Sequence, residues 1–154
     1  MSLVSKIDGL ASGPQGSEQV FEQRKRFIQM FTTVAVAKGD ALCIDPGTST
    51  NGLGNHVKLS DIAAKDTSHV IGVAGEDGAI GDLISVQVGG VCDYADLDDL
   101  SDDPGDLLGA GATAGRFTIM DASKADALPA AILLAEGSAG SGNSTVYLLN
   151  PLNL

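Results

Sequence analysis

Short β-branched segments separated by turn residues fill the chain from Thr32 onward, and this pattern constrains the fold most. Gly, Pro, Asn and Asp separate the segments, and these residues favour tight turns. We therefore predict an all-β domain over 32–154, a small β-barrel or β-tulip-like sandwich. The candidate strands are 32–37, 41–45, 56–60, 69–74, 83–92, 116–120, 130–136 and 144–149.

A short turn pattern recurs within this domain. Gly-Asp followed by two apolar residues occurs at 39–42, 81–84 and 105–108. The first two copies lead directly into predicted strands. Glycine suits a tight turn, and the Asp carboxylate can accept hydrogen bonds from the turn amides. We expect strands to enter the domain through similar turns.

The residues before this domain differ from it in charge. Residues 1–38 carry five basic and three acidic side chains, whereas the remaining residues carry four and seventeen, so the 154-residue chain has a net charge of −11. The asymmetry indicates a basic N-terminal arm, 1–31, on an acidic body. Within it, 8–17 has linker composition, and 18–31 is predicted to form a short amphipathic helix. One face of that helix would carry Val20, Phe21, Phe27, Ile28 and Phe31.

Three of the four phenylalanines lie in this arm, which suggests that the arm binds something. Aromatic side chains and arginine are the usual anchors of protein interfaces, and basic groups pair with acidic partners. The alternative is that the helix covers one end of its own domain. The predicted partner-binding residues are Phe21, Arg24, Lys25, Arg26, Phe27 and Phe31.

An Asp-rich segment, 93–106, holds seven aspartates and no basic residue. Asp-rich loops can ligate Ca²⁺, but the Gly and Glu positions of an EF-hand loop are absent from this segment. A solvated acidic loop is the favoured interpretation, and no cofactor is expected. The weak calcium candidates are Asp96, Asp98, Asp99, Asp102 and Asp103.

The reactive side chains indicate no enzyme. Cys43 and Cys92 each lie inside an apolar run, which predicts buried reduced thiols; a disulfide between neighbouring strands is the alternative. His56 and His69 stand at the starts of apolar segments, outside any recognisable nucleophile motif.

Charge and hydropathy also limit the partners. An acidic protein repels a phosphate backbone, so nucleic-acid binding is not expected. No apolar run approaches the roughly 20 residues that a membrane span requires. These features predict a soluble protein made in a cytoplasm.

The order of apolar segments resembles the head-decoration (cement) proteins of tailed bacteriophages over residues 32–150. That resemblance implies a small β-barrel or β-tulip in the virion and no catalytic residues. It also implies homotrimers at three-fold and quasi-three-fold positions on the outer capsid surface, where they bridge major capsid protein subunits. The segments that carry it are VAVAKGDALCI (34–44), HVIGVA (69–74), GDLISVQVGGV (81–91), AAILLAEG (130–137) and VYLL (146–149).

Two other functions remain open. A phage head-fibre or tail-tip β-module that binds host carbohydrate would need an exposed aromatic platform, for which Tyr94, Phe117 and Tyr147 are the candidates in the body. A calcium-dependent structural module would use the Asp-rich segment.

Overall fold

All regular secondary structure in the computed structural model is β-strand, among the residues that it describes: 25–47, 54–63, 67–98, 103–120, 128–135, 137 and 144–149. The predicted all-β fold class is therefore confirmed. The strands are β1 (Arg26–Thr32), β2 (Ala41–Ile44), β3 (His56–Leu59), β4 (Gly72–Ala74), β5 (Leu83–Ala95), β6 (Leu107–Ala110), β7 (Phe117–Ile119), β8 (Ala131–Ala135) and β9 (Ser144–Leu148).

The first five strands close into a hydrogen-bonded ring in the order β1-β3-β2-β4-β5, because β5 pairs back onto β1. The β1–β3 pair is parallel and the other pairs are antiparallel. We call these strands the first ring.

A second ring shares β5 with the first. The C-terminal half of β5 pairs with β9, and the order continues through β8 and β6 to β7. Just beyond β5, Leu97 forms a parallel bridge with Phe117 of β7, and this bridge closes the second ring. The 13-residue strand β5 thus belongs to both rings.

The two rings are an internal structural repeat. The order β1-β3-β2-β4-β5 becomes β5-β7-β6-β8-β9 when each strand is replaced by the one four places later, and every parallel or antiparallel relation is kept. Backbone hydrogen bonds repeat as well, which defines matched positions in the two rings. In the first ring, the N–H groups of Ser60, Ile71, Ala74 and Asp45 donate to the carbonyl oxygens of Ala41, Leu42, Asp40 and His56, respectively. The matched bonds of the second ring run, in the same order, from Met120, Ala130, Leu133 and Gly111 to Leu107, Leu108, Asp106 and Arg116.

Each ring encloses its own apolar core, and matched positions fill the two cores. Leu42 and Leu108 are matched, as are Val86 and Val146, and all four side chains are fully buried. Val57 of the first core is replaced by the larger Phe117 in the second. The repeat therefore extends from backbone pairing to side-chain packing.

The three Gly-Asp turns have one geometry and lead into β2, β5 and β6, which confirms the expectation of similar turns. Each glycine has a positive φ, a conformation that favours glycine. In each turn the Asp carboxylate accepts a hydrogen bond from the N–H three residues earlier. The glycines are Gly39, Gly81 and Gly105 with φ of 103°, 88° and 105°, and the bonds are Ala37 to Asp40, Ala79 to Asp82 and Asp103 to Asp106 at 2.7, 2.8 and 2.9 Å.

The helix predicted over 18–31 is wrong for residues 26–31, which lie in β1; residues 18–24 fall outside the described residues. Along β1, burial alternates with period two, so Met30 faces the core while Phe27 and Phe31 face outward. Pairing with β5 decides the conformation, because long-range contacts override weak local helix propensity. Strand β1 extends across residue 31, the predicted end of the arm, and pairs with β5.

Two strand predictions also need correction. Of the segment 32–37 only Thr32 belongs to a strand, and Val36 makes an isolated bridge to Gly78. Strand β6 was not predicted, because Leu107–Ala110 is short and follows the Asp-rich segment. Its Gly-Asp turn was the available signal.

A buried glutamine supports the bend that lets β5 serve both rings. Gly90 has a φ of 84°, and the Gln87 amide donates to the carbonyl oxygens of Gly89 at 3.2 Å and Val91 at 2.8 Å. The Tyr94 hydroxyl donates to Gln87 Oε1 at 2.7 Å. Every polar atom of the fully buried Gln87 side chain thus has a partner.

Cys43 and Cys92 are buried reduced thiols, as the first interpretation predicted. Burial raises the pKa of the Cys92 thiol to about 11, so it is protonated at neutral pH. Both behave as small apolar side chains of the cores.

Asp40 and Asp82 form the same turn in different surroundings, and their amide variants should differ. Burial raises the pKa of Asp40, and nearby Asp96 raises it further. We expect Asp40→Asn to change the free energy of unfolding at pH 7 less than Asp82→Asn, which replaces a charge-assisted hydrogen bond by a neutral one at a cost of about 1 kcal/mol. Urea unfolding measures both variants.

The pH dependence checks this expectation. A carboxyl with a raised folded-state pKa gains stability as pH falls through that pKa, down to its ordinary value of about 3.9. Wild type should therefore gain stability relative to Asp40→Asn between pH 7 and about pH 4. A relative loss over that range would contradict the assignment.

Candidate partner-binding surface

The outward side of β1 and the adjacent start of β5 form one continuous surface. We call it the β1 face: Phe27, Gln29 and Phe31 of β1 with Leu83 and Ser85 of β5. Residues 27, 29 and 31 point the same way because side chains alternate along a strand. In the antiparallel register Phe31 lies opposite Leu83, and Gln29 lies opposite Ser85.

Specific contacts hold this surface in place. The Gln29 amide donates to Ser85 Oγ at 2.7 Å. The Phe31 ring stacks on His56 of β3, with 5.6 Å between ring centroids and 30° between planes. Cross-strand pairs of this kind stabilise a sheet and fix side-chain orientation, so the aromatic groups are preorganised.

Large apolar side chains on the β1 face remain accessible. Phe27 is 49% exposed, Phe31 41% and Leu83 53%, and Ile80 in the turn before β5 is more exposed still. Adjacent exposed apolar side chains on a folded domain are typical of a protein-binding surface. Exposed Arg26 and half-buried Lys25 add positive charge at one end.

Four of the six predicted partner-binding residues are brought together here. Lys25 precedes β1 directly, and Arg26, Phe27 and Phe31 lie within it; Phe21 and Arg24 fall outside the described residues. The sequence interpretation missed Ile80 and Leu83. The available signal was the alternation of β5, which places Leu83 on the side opposite Ile84 and Val86.

Two of the described calcium candidates have carboxylates engaged in other contacts. Asp96 Oδ2 lies 3.2 Å from Arg116 Nε, and Asp98 Oδ2 accepts a hydrogen bond from the Thr113 N–H at 2.9 Å. Asp103 is exposed in the turn before β6, whereas Asp99 and Asp102 fall outside the described residues. Within the described part of the chain, no three His, Cys, Asp or Glu side chains are grouped to hold a metal ion.

The aromatic platform considered for carbohydrate binding is not assembled. Phe117 is fully buried in the core of the second ring. Tyr94 is half-buried, and its hydroxyl donates a hydrogen bond to Gln87.

Of the two histidines, His56 stacks on Phe31, and exposed His69 lies beside Ser68, with Nδ1 3.4 Å from Oγ.

No helix of bilayer-spanning length and apolarity occurs among the described residues.

The fold is thus an all-β assembly of two fused rings that presents an apolar surface with a basic end. A scan against protein families and a search of curated proteins found no match. Among solved structures, the head fiber gp8.5 N base of bacteriophage phi29 is similar, with a TM-score of 0.46 and 16% sequence identity; the match covers 82% of this chain and 95% of that chain. At this TM-score the likeness carries no argument about function.

Proposed function

We propose that this protein is a structural component of a tailed-phage virion, made in the host cytoplasm. It binds the outside of the assembled capsid and bridges major capsid protein subunits as trimers at three-fold and quasi-three-fold positions. The observation that carries the proposal is the β1 face, which holds Phe27, Phe31 and Leu83 exposed beside Lys25 and Arg26. The sequence resemblance to decoration proteins supports the choice of partner.

The energetics of such a role are simple. A protein that binds the assembled shell and not its separated subunits stabilises the shell by mass action. Phe27 supplies a rigid aromatic anchor, and Arg26 beside it can pair with a carboxylate on the shell. A trimer engages several sites at once, so individually modest contacts give firm attachment.

The charge distribution fits attachment through the β1 face. The net charge of −11 makes most of the body acidic, while Lys25 and Arg26 are basic. Acidic bodies repel one another and keep the protein soluble before assembly. The basic end attracts acidic groups on the capsid and increases the rate of encounter.

Binding to isolated heads tests the proposal. Expanded heads that lack the protein are mixed with the full chain, and bound copies per major capsid subunit are counted by quantitative mass spectrometry of the sedimented heads. We expect saturation at a simple ratio set by the three-fold sites. The double variant Arg26→Glu and Phe27→Asp should bind at least about tenfold more weakly, because it loses an anchor and reverses a charge.

Leu134→Asp is the matched control, because Leu134 is an exposed leucine on β8, away from the β1 face. It should saturate heads like the wild type. Equal binding of all three proteins would refute the role of the β1 face. No binding by the wild type would refute the capsid as partner.

A further inference from the structure

The junction between the two rings shows how one ring end receives another. The turn Ala37–Asp40 of the first ring packs on the start of the second ring. Gly39 carbonyl oxygen accepts a hydrogen bond from the Asp96 N–H at 3.1 Å, and the Ala41 N–H donates to the Gly115 carbonyl oxygen at 2.6 Å. Lys38 Nζ lies 4.8 Å from the centre of the Tyr94 ring.

The internal repeat supplies each of these parts twice. The turn 37–40 is matched by 103–106, with the same hydrogen bonds and the same positive φ at glycine. The bridge between Leu97 and Phe117 matches the pair Thr32 and Val57, so the residues before them match too. Asp96 and Arg116 of the second ring therefore correspond to Phe31 and His56 of the first, and Tyr94 corresponds to Gln29.

The groups buried at the junction have exposed counterparts at the two ends of the molecule. Ala41 is 0% exposed because the second ring covers it, whereas the matched Leu107 is 46% exposed. Gly115 is buried at the junction, and the matched Asn55 is exposed. Phe31, at the other end, is also exposed. One end of the molecule thus has an uncovered turn and the other has an uncovered receiving surface.

We propose that copies of this chain associate head to tail through these two ends. The turn 103–106 and Leu107 of one copy pack on Gln29, Phe31 and Asn55 of the next. The contact reproduces the junction between the rings inside one chain. This proposal rests on the proposed self-association of the protein and specifies its contact. The β1 face is then divided between two partners: Arg26 and Phe27 bind the capsid, and Phe31 binds the second copy.

Backbone pairing explains how the contact forms. In one copy, the Phe31 N–H donates to the Asn55 carbonyl oxygen at 2.8 Å. At the junction, the Asp96 N–H donates to the Gly39 carbonyl oxygen, and the Gly115 carbonyl oxygen accepts from the Ala41 N–H, so these two groups do not bond to each other. Docking therefore exchanges one hydrogen bond within a copy for two between copies, from Phe31 to Gly105 and from Leu107 to Asn55.

The two ends that meet in this contact are different surfaces of the chain. Such a contact is heterologous, so it closes into a ring such as a trimer when the rotation between copies permits.

Sedimentation of the full chain without capsids tests the contact. Wild type should associate as concentration rises toward about 1 mM. Phe31→Ala and Leu107→Asp should each weaken association at least about tenfold, because the first removes an aromatic anchor and the second places a charge in a contact that excludes water. Phe27→Ala is the matched control for Phe31→Ala and should associate like the wild type.

Mixing identifies the geometry. The Phe31→Ala and Leu107→Asp proteins each retain one intact end, so an equimolar mixture should form a one-to-one dimer that neither forms alone. Monomeric wild type at all concentrations, loss of association in only one variant, or no dimer in the mixture would each overturn the proposal. Because these measurements contain no capsids, their failure is distinct from failure of head binding.

Discussion

Gly39→Ala is expected to lower the free energy of unfolding by about 2–5 kcal/mol. Gly39 has a φ of 103°, and a left-handed conformation costs an alanine about 1–2 kcal/mol. A Cβ at this position would also overlap the Tyr94 carbonyl oxygen of the second ring. Because the overlapping atom belongs to the backbone, relief of the overlap requires the chain at Tyr94 to shift, which costs about 1–3 kcal/mol more.

The repeated turn supplies the control. Gly81 and Gly105 have similar φ values, and a Cβ at either position would meet no atom within 4 Å. Gly81→Ala and Gly105→Ala should therefore cost only the backbone term, about 1–2 kcal/mol. Urea unfolding at low protein concentration measures all three variants. Equal losses would mean that the ring junction does not add to the requirement for glycine at Gly39.

Gln87→Met is expected to destabilise the protein by about 3 kcal/mol, although methionine fills a similar volume. The variant removes the amide that bonds the carbonyl oxygens of Gly89 and Val91 and the acceptor of the Tyr94 hydroxyl. Buried polar groups that lose their partners cost about 1–3 kcal/mol each. The bend that joins the two halves of β5 should lose its support.

A double-mutant cycle separates this network from simple packing. Tyr94→Phe leaves only Gln87 Oε1 without its partner, so it should cost about 1–2 kcal/mol. The double variant should cost less than the sum of the single variants, because both remove the same hydrogen bond. Strict additivity in urea unfolding would show that the two side chains are energetically independent.

The internal repeat connects the fold with the proposed assembly. Matched positions have diverged where their surroundings differ: Phe31 stacks on His56, whereas Asp96 pairs with Arg116 beside the first ring. An aromatic pair suits a surface that a separate molecule covers, since its burial releases water from apolar area. An ion pair beside half-buried Asp40 balances charge within one chain.

Local sequence patterns determined most elements of the fold. β-Branched alternation marked seven of the nine strands among the described residues, and the Gly-Asp pairs marked turns whose hydrogen bonds depend on four consecutive residues. The burial of Cys43 and Cys92 followed from their apolar neighbours. The concentration of aromatic and basic residues before Thr32 predicted a partner-binding role for Lys25, Arg26, Phe27 and Phe31, but the helix predicted for this segment is wrong for 26–31.

Tertiary structure alone decided the conformation of β1, the closure of both rings and their repeat. Phe31 meets Leu83 and His56 only after distant segments pair, and such pairing depends on register, which local propensity does not encode. The same contacts choose strand over helix for β1, because β5 satisfies its backbone and buries Met30. The repeat is hidden in the sequence because a core position requires an apolar side chain but not a particular one, and the matched Val57 and Phe117 are both fully buried.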